Sequence, residues 1–194
     1  MKGFGNESYS QKISKKSKYK NPYKEKIINQ AYKFASKGNL SEAEKCYKLF
    51  LKKGFVDARV DMNLAQIFFK EGKLKEAEQS LKKAIEIKPD FAEAYYNLGL
   101  VLKDLDKLEE AELSYRKAIE IKPDIAEAHY NLGILLRDLD KLEEAELSYR
   151  KVIEIKPDYA KAHYNLGIIL KDLNKFEEAE LSYRKAIEIK PDYA

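Results

Sequence analysis

"YNLGLVLKDLDKLEEAELSYRKAIEIKPD", from Tyr96 to Asp124, decides the fold, because it returns almost verbatim from Tyr130 to Asp158 and again from Tyr164 to Asp192. Working outward, prolines at 89, 123, 157 and 191 stand 34 residues apart. With each proline set at position 32, the units are 58–91, 92–125, 126–159 and 160–193. A degenerate unit, 24–57, precedes them and keeps Ala31, Gly38, Leu40, Ala43 and Tyr47 in register. Units 92–125 and 126–159 agree at 28 of 34 positions, so they are copies of one supersecondary element. Such an element cannot bury its apolar face alone; its neighbours supply the missing wall.

Within a unit, position 8 is small (Ala65, Gly99, Gly133, Gly167), and so is position 20 (Ala77, Ala111, Ala145, Ala179). Larger apolar residues recur at helical spacing, in one unit as Leu98, Leu102, Leu108, Tyr115, Ile119 and Ile121. This predicts two short amphipathic helices whose backbones approach closely at the small pair. Asp106 before Glu109, Asp140 before Glu143, Asn174 before Glu177 and Ser41 before Glu44 read as N-caps of the second helices. Lys-Pro-Asp ends each second helix, and Asp90, Asp124 and Asp158 are then expected to cap the next first helix.

Leu-Gly at positions 7–8, Ala at 20, Tyr at 24, Ala at 27 and Pro at 32 resemble the tetratricopeptide repeat, over 24–194. The family's tryptophan at position 4 is replaced by Asp61, Tyr95, His129 and His163. The resemblance implies an all-α, right-handed solenoid of five helix-turn-helix repeats. It also implies that the first helices line a concave groove. There position 5 supplies Tyr96, Tyr130 and Tyr164, and position 6 supplies Asn63, Asn97, Asn131 and Asn165. Position 9 adds Leu100, Ile134 and Ile168, and position 12 adds Lys103, Arg137 and Lys171 beside Asp104, Asp138 and Asp172.

A carboxamide both donates and accepts, so an asparagine row can bracket the backbone of an extended peptide. The row is similar to that of the O-linked N-acetylglucosamine transferases. Asparagine bonding locally within the repeat accounts for the same residues, and both readings stay open. The tyrosines fit partner side chains and also fit packing between helices. The family's clamp for a C-terminal carboxylate is matched only at Asn131 and Lys161. A row of Leu113, Leu147 and Leu181 on the second helices reads as a second contact site or as covered surface.

No catalytic constellation, metal-ligand spacing or phosphate loop is present, so neither cofactor nor metal is expected. His129 and His163 read as packed side chains. No stretch reaches the ~18 apolar residues of a membrane span. The lone Cys46 excludes an internal disulfide, and a soluble, cytoplasmic chain is expected. Of the net charge of +4, residues 1–23 hold six lysines against Glu7, which reads as a disordered basic arm able to meet nucleic acid or an acidic surface.

The function expected is a non-catalytic protein-interaction scaffold with a peptide in its groove. The alternative is the substrate-recruiting part of a larger glycosyltransferase or sulfotransferase. The last helix is expected to expose Tyr183 and Ile187 and to self-associate through 176–191, or to fray there.

Overall fold

A computed structural model describes residues 22–193. Among the described residues there are ten α-helices and no strand. They are α1 (Pro22–Ser36), α2 (Leu40–Lys52), α3 (Ala58–Lys70), α4 (Leu74–Ile87) and α5 (Ala92–Asp104). Then follow α6 (Leu108–Ile121), α7 (Ala126–Asp138), α8 (Leu142–Ile155), α9 (Ala160–Asp172) and α10 (Phe176–Ile189). The helices form the five pairs that the 34-residue period predicts. Two compact units divide them, one ending at Ala94 and the other beginning at Tyr95. The expected arm, 1–23, lies outside the described residues except for Pro22 and Tyr23, which open α1.

Each pair forms because its two helices turn apolar stripes toward one another across a three-residue turn. That turn is closed from the first helix. In the third pair the Lys107 N–H donates to the Leu102 carbonyl at 2.9 Å and the Asp106 N–H to Lys103 at 3.0 Å. This is the double closure in which the residue after the helix turns left-handed. Asp106, Asp140 and Asn174 hold φ of 59°, 58° and 59°, where the first two pairs carry Gly38 and Gly72.

The expectation that these residues N-cap the second helix is therefore corrected. The N-cap residues are Lys107, Lys141 and Lys175, and none makes a side-chain cap hydrogen bond. Asn39, not Ser41, precedes α2 in the same way. Ile125 and Tyr159, rather than Asp124 and Asp158, precede α7 and α9, also without a side-chain cap. Asp57 is a true cap, accepting from the Arg59 N–H at 3.0 Å.

The close approach at position 8 is realised in the second unit. A Cβ added at Gly133 would stand 2.9 Å from the Tyr149 ring, and at Gly167 2.7 Å from that of Tyr183. Tyr115 over Gly99 and Tyr149 over Gly133 are fully buried. In 58–91 the same two places carry Ala65 and Leu81, a larger floor under a smaller lid, both in the core. In the first pair Ile28, Ala31, Ala43, Tyr47 and Phe50 share one cluster with Val60, Leu64 and Ile67 of α3.

Stacking within the second unit sets the second helix of one pair against the first helix of the next. Ala126, Val152 and Ala162 form a buried contact there, flanked by Tyr130, Ile153 and Tyr159. His129 and His163 occupy the position of the family's tryptophan, and each places Nε2 2.9 Å from the carbonyl of Pro123 or Pro157. A carbonyl only accepts, so Nε2 carries the proton. Burial pushes the His129 pKa below the ordinary imidazole value.

Ion pairs tie successive second helices together. Arg116 bridges Glu112 and Glu144, and Arg150 bridges Glu146 and Glu178. Lys141 reaches back to Glu112 at 2.8 Å and Lys175 to Glu146 at 2.7 Å. Burial opposes ionisation of Glu112, but hydrogen bonds from Lys141 and Arg116 outweigh it and hold its pKa below the usual value. Pairs this exposed contribute about 0–1 kcal/mol each and chiefly fix the register.

Candidate functional site

The candidate site of the second unit lies on the first helices α5, α7 and α9. Their positions 5 and 6 come together between units, not within them. The Asn131 Nδ2 donates to the Tyr96 hydroxyl at 3.0 Å, and the Asn165 Nδ2 donates to the Tyr130 hydroxyl at 3.1 Å. Asn131 spends its other N–H on the Glu127 carbonyl, also at 3.0 Å. Both amide protons are thus used inside the protein. Among the described residues the Asn131 Oδ1 accepts no hydrogen bond. The local-bonding reading of this asparagine holds for its donor side, and what remains to offer is an acceptor.

The tyrosines of position 5 are shared between packing and exposure. Tyr96 and Tyr130 are half-buried, while Tyr164 is 37% exposed. Each leans on the position-24 tyrosine of its own pair: ring centroids lie 6.1 Å apart for Tyr96–Tyr115, 5.9 Å for Tyr130–Tyr149 and 5.7 Å for Tyr164–Tyr183. Burial raises the Tyr96 pKa, and Glu127 adds to the rise against the hydrogen bond from Asn131. Tyr96 is therefore a neutral phenol at physiological pH. The Tyr115 and Tyr149 hydroxyls beneath the row are buried without a hydrogen-bond partner. Burial moves both upward in pKa, and at Tyr149 the neighbouring Asn165 amide acts in the opposite sense.

Leu100, Ile134 and Ile168 are half-buried and present part of their surface beside the row. Lys103 pairs with Asp138 of the next unit at 3.6 Å, and Arg137 with the same carboxylate at 3.2 Å. Lys103 and Arg137 thus share the Asp138 carboxylate at the rim of the row. Lys171 is exposed and Asn97 half-buried.

Asn63 belongs to the first unit, is 9% exposed, and donates from Nδ2 to the Tyr32 hydroxyl at 3.0 Å. Tyr32 stands at position 9 of its degenerate repeat. Its phenol does there what position 5 does elsewhere, a substitution hidden from a column-by-column reading. Among the described residues no group of three or more metal-ligating side chains gathers, and no helix is long and apolar enough to cross a membrane.

Solved structures share this fold. A crystal structure of MamA is 28% identical and has a TM-score of 0.78, covering 84% of this chain and 95% of its own. YrrB, described as a TPR protein with an unusual peptide-binding site, is 26% identical with a TM-score of 0.75, covering 96% of this chain and 94% of its own. MamA from Desulfovibrio magneticus RS-1, at 19% identity and a TM-score of 0.79 over 90% of this chain and 98% of its own, shares the fold. No curated protein sequence matches the chain. Family models described as TPR repeat match 65–106 and 135–174, and models described as tetratricopeptide repeat match 92–125, 114–146 and 160–193. These matches run without a gap across the helix pairs that carry the tyrosine–asparagine row, and the chain belongs to the tetratricopeptide repeat family.

Proposed function

We propose that this chain is a protein-interaction scaffold that holds an extended peptide along α5, α7 and α9, with no chemistry of its own. The observation that carries this reading is the recurrence of one polar–aromatic element at each step between units, Tyr96–Asn131 and then Tyr130–Asn165. Internal bonds fix the orientation of both side chains before any partner arrives, which lowers the entropy lost on binding. The Asn131 Oδ1 then accepts from peptide N–H groups, so the row reads backbone and presents acceptors rather than the donor–acceptor pair expected from sequence. Half-buried Tyr96, Tyr130, Leu100, Ile134 and Ile168 supply apolar contact for side chains of the partner, and Tyr164 extends it. Lys103 and Arg137 are held by Asp138 at the rim, which leaves the choice of peptide chiefly to shape. The peptide-binding site described for YrrB, whose structure superposes along nearly the whole chain, supports the same use of the fold here.

Selection of peptides from a random display library on the immobilised chain tests this. Binders are expected to lose affinity with Asn131→Ala and Tyr130→Ala, and to keep it with substitutions on the second helices. Binders indifferent to both variants would remove the proposal.

A further inference from the structure

The second helices carry a feature that the groove does not use. Leu113, Leu147 and Leu181 are 68%, 67% and 66% exposed, the same position repeated three times on α6, α8 and α10. Between α6 and α8, and between α8 and α10, lie two clefts of about 420 and 450 Å³, each lined by one of these leucines. One is walled by Ile119, Leu132 and Leu147, the other by Ile153, Leu166 and Leu181. Apolar knobs and apolar holes thus alternate along a single face at a single spacing.

The rim of this face selects against strongly charged partners. Arg116 is paired with Glu144 and Arg150 with Glu178. Lys117 pairs with Glu120 at 2.7 Å, Lys151 with Glu154 at 2.7 Å and Lys185 with Glu188 at 2.8 Å. Its charges cancel locally, so the best fit is a near-neutral surface bearing knobs and holes at this same repeat spacing. The face itself has that description, and a surface complementary to itself closes by a two-fold axis.

We propose that two copies of this chain pair back to back through this face. They run in opposite directions and are offset by half a repeat, so that leucines of each enter the clefts of the other. The tyrosine–asparagine row lies on the first helices, so each copy of the dimer keeps its own peptide-binding row. Three leucines and two clefts make a small interface, below the size of a permanent dimer, and a Kd of roughly 10–100 µM is expected.

Sedimentation equilibrium of the whole chain measures this directly. Dimers are expected, and Leu147→Glu should weaken them at least about tenfold while leaving the helical circular dichroism unchanged, because the residue is a surface knob. Ile187→Glu, on the exposed end of α10, should leave the dimer intact. In a Cys46→Ser background, Leu147→Cys should form a disulfide-linked dimer on mild oxidation, since this position lies nearest the axis. A chain that stays monomeric to about 0.5 mM, or a dimer broken by Ile187→Glu and not by Leu147→Glu, overturns the proposal.

Discussion

The amide of Asn131 and the hydroxyl of Tyr96 meet at 3.0 Å although 35 residues separate them, because one residue stands at position 6 of its unit and the other at position 5 of the unit before. The bond crosses between two first helices and belongs to neither repeat alone. Removing either partner leaves the other half-buried and short of a bond. Tyr96→Phe and Asn131→Ala are each expected to lower stability by about 1 kcal/mol. A double-mutant cycle on thermal unfolding should return a coupling of roughly 0.5–1.5 kcal/mol. A coupling indistinguishable from zero would mean that the bond is not formed in solution.

The glycine at position 8 gives a second test. Gly133→Ala gains about 1 kcal/mol of helix propensity but sets a methyl 2.9 Å from the Tyr149 ring. Overpacking of this kind costs about 1–3 kcal/mol. In the first pair Ala31 and Tyr47 share one core, so the ring can give, and a net loss near 1 kcal/mol is expected for alanine. Gly133→Leu should lose more than about 2 kcal/mol. In a Tyr149→Leu background, which reproduces the Ala65–Leu81 arrangement, Gly133→Ala should instead stabilise. Urea denaturation of the four variants decides whether that change of sign occurs.

Asp61 supplies a pH dependence. It takes the place of the histidines in α3, is 4% exposed, and has its pKa raised to about 6, first by burial and then by Asp57, with Lys83 opposing. The folded state therefore holds this proton more tightly than the unfolded chain does. Its destabilisation grows as pH climbs from about 4 through 6 and is complete above that. Asp61→Asn should match wild type near pH 4 and exceed it by about 2–3 kcal/mol at pH 7.5. Equal melting temperatures at the higher pH would show that the carboxylate is ionised without penalty.

The left-handed turn residues predict stabilisation by substitution. Asp106, Asp140 and Asn174 hold φ near 59°, a region that glycine enters without steric cost. Replacing each by glycine, as Gly38 and Gly72 stand naturally, should add up to about 1 kcal/mol per site. The reverse change, Gly72→Asp, should destabilise. Calorimetry of the triple glycine variant is the measurement.

The period of 34, the paired helices and the need for a small residue at Gly133 were legible because each is written in residue size and spacing, whereas the partner that fills the space, the Tyr149 ring at position 24, was not. Nor were the turns. Asp and Asn favour both a helix start and a left-handed stop, and the three-residue Leu105–Asp106–Lys107 turn contains both. Only the sign of φ at Asp106 separates them, and no pattern of residue types records it. The asparagine row was legible in kind but not in what it offers. That Asn131 spends both N–H groups follows from setting Tyr96 beside it, an adjacency that exists only after the helices have stacked.

The ion pairs across successive second helices have a consequence for how such a chain can change over time. Arg116 always reaches forward to Glu144 and Lys141 always reaches back to Glu112, and the next step repeats the arrangement with Arg150, Glu178, Lys175 and Glu146. Both of these junctions within the second unit are thus the same plug and the same socket, facing the same way. Duplicating or deleting a whole 34-residue segment leaves each remaining junction matched, whereas an inverted segment would face plug to plug. A chain built this way has a direction, like a polymer grown from one end, and lengthening it calls for no new interface.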